Sequence, residues 1–263
     1  MIKLNGMVVE PSHFPDGTTL MKYFIEPSAR KNGAKIEWFF ENNEELVTLI
    51  YLTKHLRENG VKDVVLNLPY IPNARQDRAK NVEDVFTLKY FADIINYLNF
   101  NYVQVMDAHS YVSLALIDRV VPCGPDIYID QAIGDCKPDM LFFPDEGSMK
   151  RYSSMAQIEY AFGIKKRDWA TGQIQGLDIA GCTDKINGSR ILIVDDICSR
   201  GGTFYHSAKK LKELGAKESY LYVTHCENTI LDGEMLTSGL IEMVYTTNSI
   251  FTKGHEKIGV FQL

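Results

Sequence analysis

Seven short apolar runs punctuate the chain, at residues 35–40, 63–68, 101–106, 139–143, 190–194, 219–223 and 242–245. They are nearly continuous rather than strictly alternating, as strands buried on both faces are. Stretches of helical periodicity lie between several of them. Residues 44–58 carry Leu46, Leu49, Ile50, Thr53 and Leu56 on one side, with a capping signal at Asn42. Residues 85–98 repeat the pattern with Leu88, Phe91, Ala92, Ile95 and Leu98, and residues 203–214 do so again before Gly215. Strand, helix and strand in this rhythm predict βαβ units around largely parallel sheets, an α/β fold. Residues 165–188 break the rhythm with Lys, Arg, Asp, Gln, Thr and Gly, which predicts a surface excursion, either a hairpin or a mobile flap. Gly134, Asp135, Lys137 and Pro138 cluster between apolar stretches, so the expected division is into domains 1–135 and 136–263.

Composition narrows the partners. The formal net charge of −6 argues against nucleic acid as a partner, while small anionic substrates fit if the cations gather locally. Five cysteines at 123, 136, 182, 198 and 226 show no metal or redox spacing and read as reduced thiols. No run is long enough to cross a membrane, and the first residues lack a basic stretch followed by an apolar one, so a cytoplasmic protein is expected.

The strongest chemical signal is the run from Arg190 to Thr203. A buried strand is expected to end in Asp195 and Asp196, followed by a turn with Gly201 and Gly202 and then a helix. Ligands bind beyond the carboxyl ends of strands in such sheets. Amides at the turn and helix start hold phosphate, glycine allows close approach, and Thr203 adds a hydroxyl. The carboxylates suit ribose hydroxyls or a magnesium-bound water. An ordinary strand–turn–helix corner is the bland alternative.

In the second signal, a strand runs into Pro69 and Pro72 and then Arg75, Gln76, Asp77 and Arg78. The guanidiniums suit a triphosphate and Gln76 a base edge; a solvated loop is the alternative. Asp107 and His109 follow another strand and can share or position a cation. Asp145 follows a fourth strand, where simple helix capping would also explain it. Lys165, Lys166, Arg167 and Asp168 form a basic tip suited to neutralising charge in phosphoryl transfer, or a plain solvated turn.

Together these runs resemble ribose-phosphate pyrophosphokinase, the phosphoribosyl-pyrophosphate synthetase family, with this chain as a short, phage-type divergent member. His13-Phe14-Pro15-Asp16-Gly17 looks like the family's FxDGE segment, and Asn43-Glu44-Glu45-Leu46 like its NDxLM helix start. Residues 70–78 resemble PYxxYARQDR, and Asp107-Ala108-His109 resembles DLH. Pro144-Asp145-Glu146-Gly147 with Lys150-Arg151 resembles PDxGxxKR, and Lys165-Lys166-Arg167 the catalytic KRR. Residues 193–203 resemble VDDxxDTGGT, while Val223-Thr224-His225 and Thr247-Asn248-Ser249 resemble the VTH and TNT landmarks.

The resemblance implies two tandem phosphoribosyltransferase-type, Rossmann-like domains with a mobile catalytic loop. It implies ATP as co-substrate and Mg2+ as cofactor. Arg75, Gln76, Asp77 and His109 would bind ATP, with Phe14 and Asp16 arriving from a neighbouring subunit of at least a dimer. His109 and Asp145 would act on the metal. Asp195 and Asp196 would hold the sugar hydroxyls, and Ser199, Arg200, Gly201, Gly202 and Thr203 the 5′ group. Lys165 and Arg167 would stabilise the transition state as the 1-hydroxyl of ribose 5-phosphate attacks the β-phosphorus.

Three departures matter. Thr18 stands where the family has glutamate. Ser110-Tyr111-Val112 replaces a segment tied to interfaces and regulation, so allosteric control is not carried over. Ser199-Arg200 replaces an Asp-Thr pair, and an arginine there reaches a second phosphate, which would suit ADP-ribose, a substrate of some phage-type relatives. A phosphoribosyltransferase would have no use for residues 70–78, and an inactive regulatory homologue would have lost the residues retained here.

Overall fold

The structure, a computed structural model, describes residues 1–155, 157–167 and 174–263, with backbone alone at 165–167 and 174–177. The chain forms two compact units, Met1–Gly124 and Pro125–Leu263.

The first unit runs β1 (Ile2–Leu4), β2 (Met7–Val9), β3 (Ser12–His13), β4 (Thr19–Leu20), α1 (Pro27–Asn32), β5 (Ala34–Trp38), α2 (Glu44–Glu58), β6 (Val64–Leu68), α3 (Thr87–Tyr97), β7 (Val103–Met106), α4 (Tyr111–Leu116) and β8 (Val120–Cys123). Its sheet has the order β2-β1-β5-β6-β7-β8. Strands β5 to β8 are parallel, as the apolar runs predict, and β1 adds antiparallel to β5. Leu49, Leu52 and Leu56 of α2 and Leu88, Phe91 and Ile95 of α3 pack with Ile36, Leu66 and Val105 of the sheet. The predicted cap is present, with Asn42 Oδ1 accepting the amides of Glu44 and Glu45 at 3.0 and 3.2 Å.

The second unit runs α5 (Asp126–Cys136), β9 (Met140–Phe143), α6 (Glu146–Tyr152), β10 (Tyr160–Arg167), β11 (Ile174–Gly181), β12 (Arg190–Cys198), α7 (Gly202–Glu213), β13 (Glu218–Cys226), β14 (Val244–Thr247) and β15 (Ile258–Phe261), with 3-10 turns at Thr183–Lys185 and Asn228–Asp232. Its order is β11-β10-β9-β12-β13-β14-β15, parallel except for the β10–β11 pairing. The excursion at 165–188 therefore includes part of a hairpin, with residues 168–173 outside the described part. Helices α5 and α6 cover one face through Ile129, Ala132, Cys136 and Tyr152, and α7 covers the other through Phe204, Ala208 and Leu211.

The division falls at Gly124 and Pro125, ahead of the expected 135/136. Helix α5 joins the second unit because Ile129, Ala132 and Cys136 share a core with Leu141, Leu192 and Val194. Strand β12 also continues past the expected end at Val194. Its ladder with β13 runs through Asp195↔Val223 to Cys198↔Cys226, so both carboxylates lie within the strand. The apolar run stops there, but backbone pairing does not depend on apolar side chains.

Candidate active site

The site residues of the first unit gather beyond the carboxyl ends of β6 and β7. After β6, Tyr70, Ile71 and Ala74 are buried and anchor the loop, while Arg75 is exposed beyond them. Gln76 is partly engaged by α3: Oε1 accepts the Thr87 hydroxyl at 2.6 Å, and its carbonyl accepts the Leu88 amide at 3.4 Å. The carboxamide nitrogen is the end suited to a base edge. Asp77 is buried, and the Arg78 guanidinium grips both its oxygens, Nε to Oδ1 at 2.8 Å and Nη2 to Oδ2 at 3.1 Å. That bond holds the Asp77 carboxyl below the usual carboxylate range, with the Ser110 hydroxyl and His109 adding to it against desolvation. The structure thus brings Asp77, His109 and Ser110 together. Ser110 also caps α4 by accepting the Val112 amide at 3.0 Å. Asp107, in a left-handed conformation with φ of 38°, turns the chain out of β7, its amide donating to Cys123 at 2.9 Å.

Phe14 and Asp16 share the tip of the β3–β4 hairpin. Phe14 is exposed. Asp16 Oδ1 accepts both the Thr18 amide, at 2.9 Å, and the Thr18 hydroxyl, at 2.7 Å, and these bonds lower its pKa, the hydroxyl most. The threonine in place of the family's glutamate therefore fixes the neighbouring carboxylate.

In the second unit, β9 delivers Asp145 to the N-terminus of α6. Oδ1 accepts the Gly147 and Ser148 amides at 3.0 and 3.1 Å, and the Ser148 hydroxyl completes a capping box. Capping thus explains Asp145 locally. Alternation along β12 sends Asp195 and Asp196 to opposite faces. Asp196 is buried, and its Oδ2 lies 3.1 Å from Arg151 Nη1 of α6. Asp195 is half-buried and accepts the Asp196 amide at 3.0 Å. Its tightly packed surroundings push its carboxyl well above the ordinary range, and the charges of Asp196 and Asp145 add to this.

The loop after β12 is braced from behind. Gly201 has φ of 80°, and a Cβ there would lie 3.0 Å from Met235 Sδ. A Cβ on Gly233 would meet the Arg200 carbonyl at 2.0 Å, so the segment after β13 closes on the loop where only glycine fits. Helix α7 begins at Gly202, and its first amides lack intrahelical partners, an arrangement made for an anion. The Arg200 side chain is exposed. Nearby, the last two landmarks meet: His225 Nδ1 lies 2.9 Å from Ser249 Oγ, and the Thr224 carbonyl accepts the Thr247 and Ser249 hydroxyls at 2.7 and 3.2 Å.

The backbones of Lys165 and Arg167 lie on β10, and their side chains lie outside the described residues. His109 and Asp145 fall in different units. Among the described residues no three His, Cys, Asp or Glu side chains form a metal-holding group. No described helix is long and apolar enough to cross a membrane. The pairing of Arg151 with Asp196 was not apparent in the sequence, although the basic residue following the Asp145 motif was its trace.

No protein-family model matches the chain. It is 29% identical over 231 residues to a ribose-phosphate pyrophosphokinase of Pyrococcus abyssi, covering 84% of this chain and 77% of the relative. A Sulfolobus acidocaldarius protein of the same name is 24% identical over 254 residues, covering 92% and 84%. The fold matches the crystal structure of phosphoribosylpyrophosphate synthetase from Mycobacterium smegmatis with a TM-score of 0.76 at 18% identity, over 97% of this chain and 86% of that one. By sequence over most of its length, and by fold, the chain is a relative of the ribose-phosphate pyrophosphokinases.

Proposed function

We propose that the protein transfers the β,γ-diphosphate of ATP to the anomeric hydroxyl of ribose 5-phosphate, giving phosphoribosyl pyrophosphate and AMP. The observation that carries this reading is the end of β12: two carboxylates run into a glycine turn braced from behind and opening on the N-terminus of α7. Carboxylates suit the sugar hydroxyls, and the amides of Gly201, Gly202 and Thr203 with the Ser199 hydroxyl suit the 5′-phosphate. Arg75, Gln76, Asp77 and His109 take the nucleotide, and Phe14 and Asp16 of a neighbouring subunit complete the adenine site, which makes the working form at least a dimer.

The 1-hydroxyl oxygen bonds to the β-phosphorus, the α–β bridging bond breaks with its electrons on AMP, and the hydroxyl proton passes to solvent. Lys165 and Arg167 neutralise charge as it shifts between the oxygens. Asp145 would meet magnesium directly or through water, and His109 would also act on the metal. A cation that is held by few protein ligands and shared with substrate phosphates is magnesium's habit. When bound it supplies charge neutralisation and polarises the phosphorus. Reduced cysteines suit a cytoplasmic setting.

The exposed Arg200 favours a second reading, the same transfer to ADP-ribose in NAD synthesis, because a cation there reaches a second phosphate. Protein, Mg-ATP and either sugar are mixed, and AMP and the sugar pyrophosphate are followed by mass spectrometry. Preferential conversion of ribose 5-phosphate supports the first reading. Preferential conversion of ADP-ribose, lost selectively in Arg200→Thr, supports the second. Conversion of neither overturns both.

A further inference from the structure

The first turn of α3 holds residue 76 at two points. The Thr87 hydroxyl donates to Gln76 Oε1 at 2.6 Å, and the Leu88 amide donates to the Gln76 carbonyl at 3.4 Å. The Gln76 amide in turn donates to the Asn73 carbonyl at 2.9 Å, across a turn in which Asn73 is left-handed with φ of 63°. Helix α3 is a firm support, because Leu88, Phe91 and Ile95 sit in the core of the first unit. The Thr87 hydroxyl has no capping duty there: Phe86 precedes the helix and no side chain caps that end. With Oε1 taken by Thr87, the Gln76 carboxamide presents Nε2 on its other side, and no described residue accepts from it.

From this geometry we infer that Thr87 is a positioning residue for the nucleotide: by holding Oε1 it fixes the Gln76 carboxamide as a donor, so that Nε2 reads a ring nitrogen of the base. The inference rests on the proposed placement of ATP at residues 75–77 and adds to it a residue on a different element. An unanchored glutamine offers both a donor and an acceptor and loses rotamer freedom when it binds. One already tied to a packed helix offers the donor alone and has that ordering behind it. The gain falls on the base-bearing substrate and not on the sugar phosphate.

The test uses the full chain, with calorimetric titration of Mg-ATP and of ribose 5-phosphate. Thr87→Val keeps the shape of the side chain and removes the hydroxyl. The expected result is a Kd for ATP raised about three- to tenfold, the worth of one hydrogen bond, with the Kd for ribose 5-phosphate within about twofold. Thr87→Ser keeps the hydroxyl and recovers most of the loss. Gln76→Glu still accepts from Thr87 but has no donor to present, and it binds ATP more weakly than wild type. In Gln76→Met there is no carboxamide to orient, so adding Thr87→Val weakens ATP no further. An ATP Kd unchanged in Thr87→Val or in Gln76→Glu, equal losses for both substrates, no recovery in Thr87→Ser, or the same loss from Thr87→Val in the Gln76→Met background overturns the inference. A wild-type protein that does not bind Mg-ATP overturns the underlying nucleotide-site reading instead.

Discussion

Asp195 and Asp196 are joined by a 3.0 Å bond from the amide of the second to the carboxylate of the first, yet they live in opposite electrostatic conditions. Asp196 has the guanidinium of Arg151, whereas Asp195 faces desolvation and two like charges. An acid raised in this way binds its proton more tightly in the folded state, so its ionisation costs stability as pH rises from the unfolded value of about 3.9 through the folded one.

Asp195→Asn is therefore expected to raise Tm at pH 8 in magnesium-free buffer, by about 2–4 °C per kcal/mol relieved. The gain should vanish below pH 4, and sugar binding should be lost. Thermal scans at both pH values with a sugar titration check this; a fall in Tm at pH 8 would refute it.

Asp145 combines a cap with a charge, and substitutions separate them. Asp145→Ala should cost about 1 kcal/mol of stability through the lost cap. Asp145→Asn keeps an acceptor for the Gly147 and Ser148 amides and should unfold near the wild-type denaturant midpoint, while kcat falls at least a hundredfold. Full activity in the asparagine variant would remove Asp145 from the metal role.

The Asp77–Arg78 pair lowers the folded pKa of Asp77, so its contribution is present above about pH 3.9 and is lost as pH falls through the folded value. Arg78 is largely exposed, so solvent screens the pair and that contribution is small. Urea unfolding of wild type and Arg78→Met should differ slightly at pH 7 and converge in acid. A difference that widens in acid would contradict the assignment.

Lys165→Ala and Arg167→Ala should each lower kcat on the order of a hundred- to a thousandfold, the loss typical of one transition-state donor. Tm should hold. Single-turnover rates separate this from slower product release, and an unchanged chemical step would sink the role of both.

Much of this was legible in the chain. The parallel strands announced themselves because burial on both faces leaves little room for polar residues, as in the wholly buried β9. The motifs placed Asp77, His109 and Asp145 after parallel strands, which is where they lie. The short elements were silent: β1 and β2 pair over three residues, too few for a period to show. Helix α5 hid behind its glycine and aspartates, which moved the expected boundary. The Arg151–Asp196 contact joins elements far apart in sequence, and no local pattern encodes such a distance. Nor does a sequence reveal that Thr18 spends its hydroxyl on Asp16.

The approach of Gly233 to the Arg200 carbonyl separates the positions of this loop that tolerate substitution from those that do not. Gly233 and Met235 brace the main chain of residues 200 and 201, while residue 200 is exposed. If the loop holds the sugar's 5′ group, as proposed, exchanges at 200 would change its chemistry without reshaping the main chain. Any larger residue at 233 would displace the main chain itself.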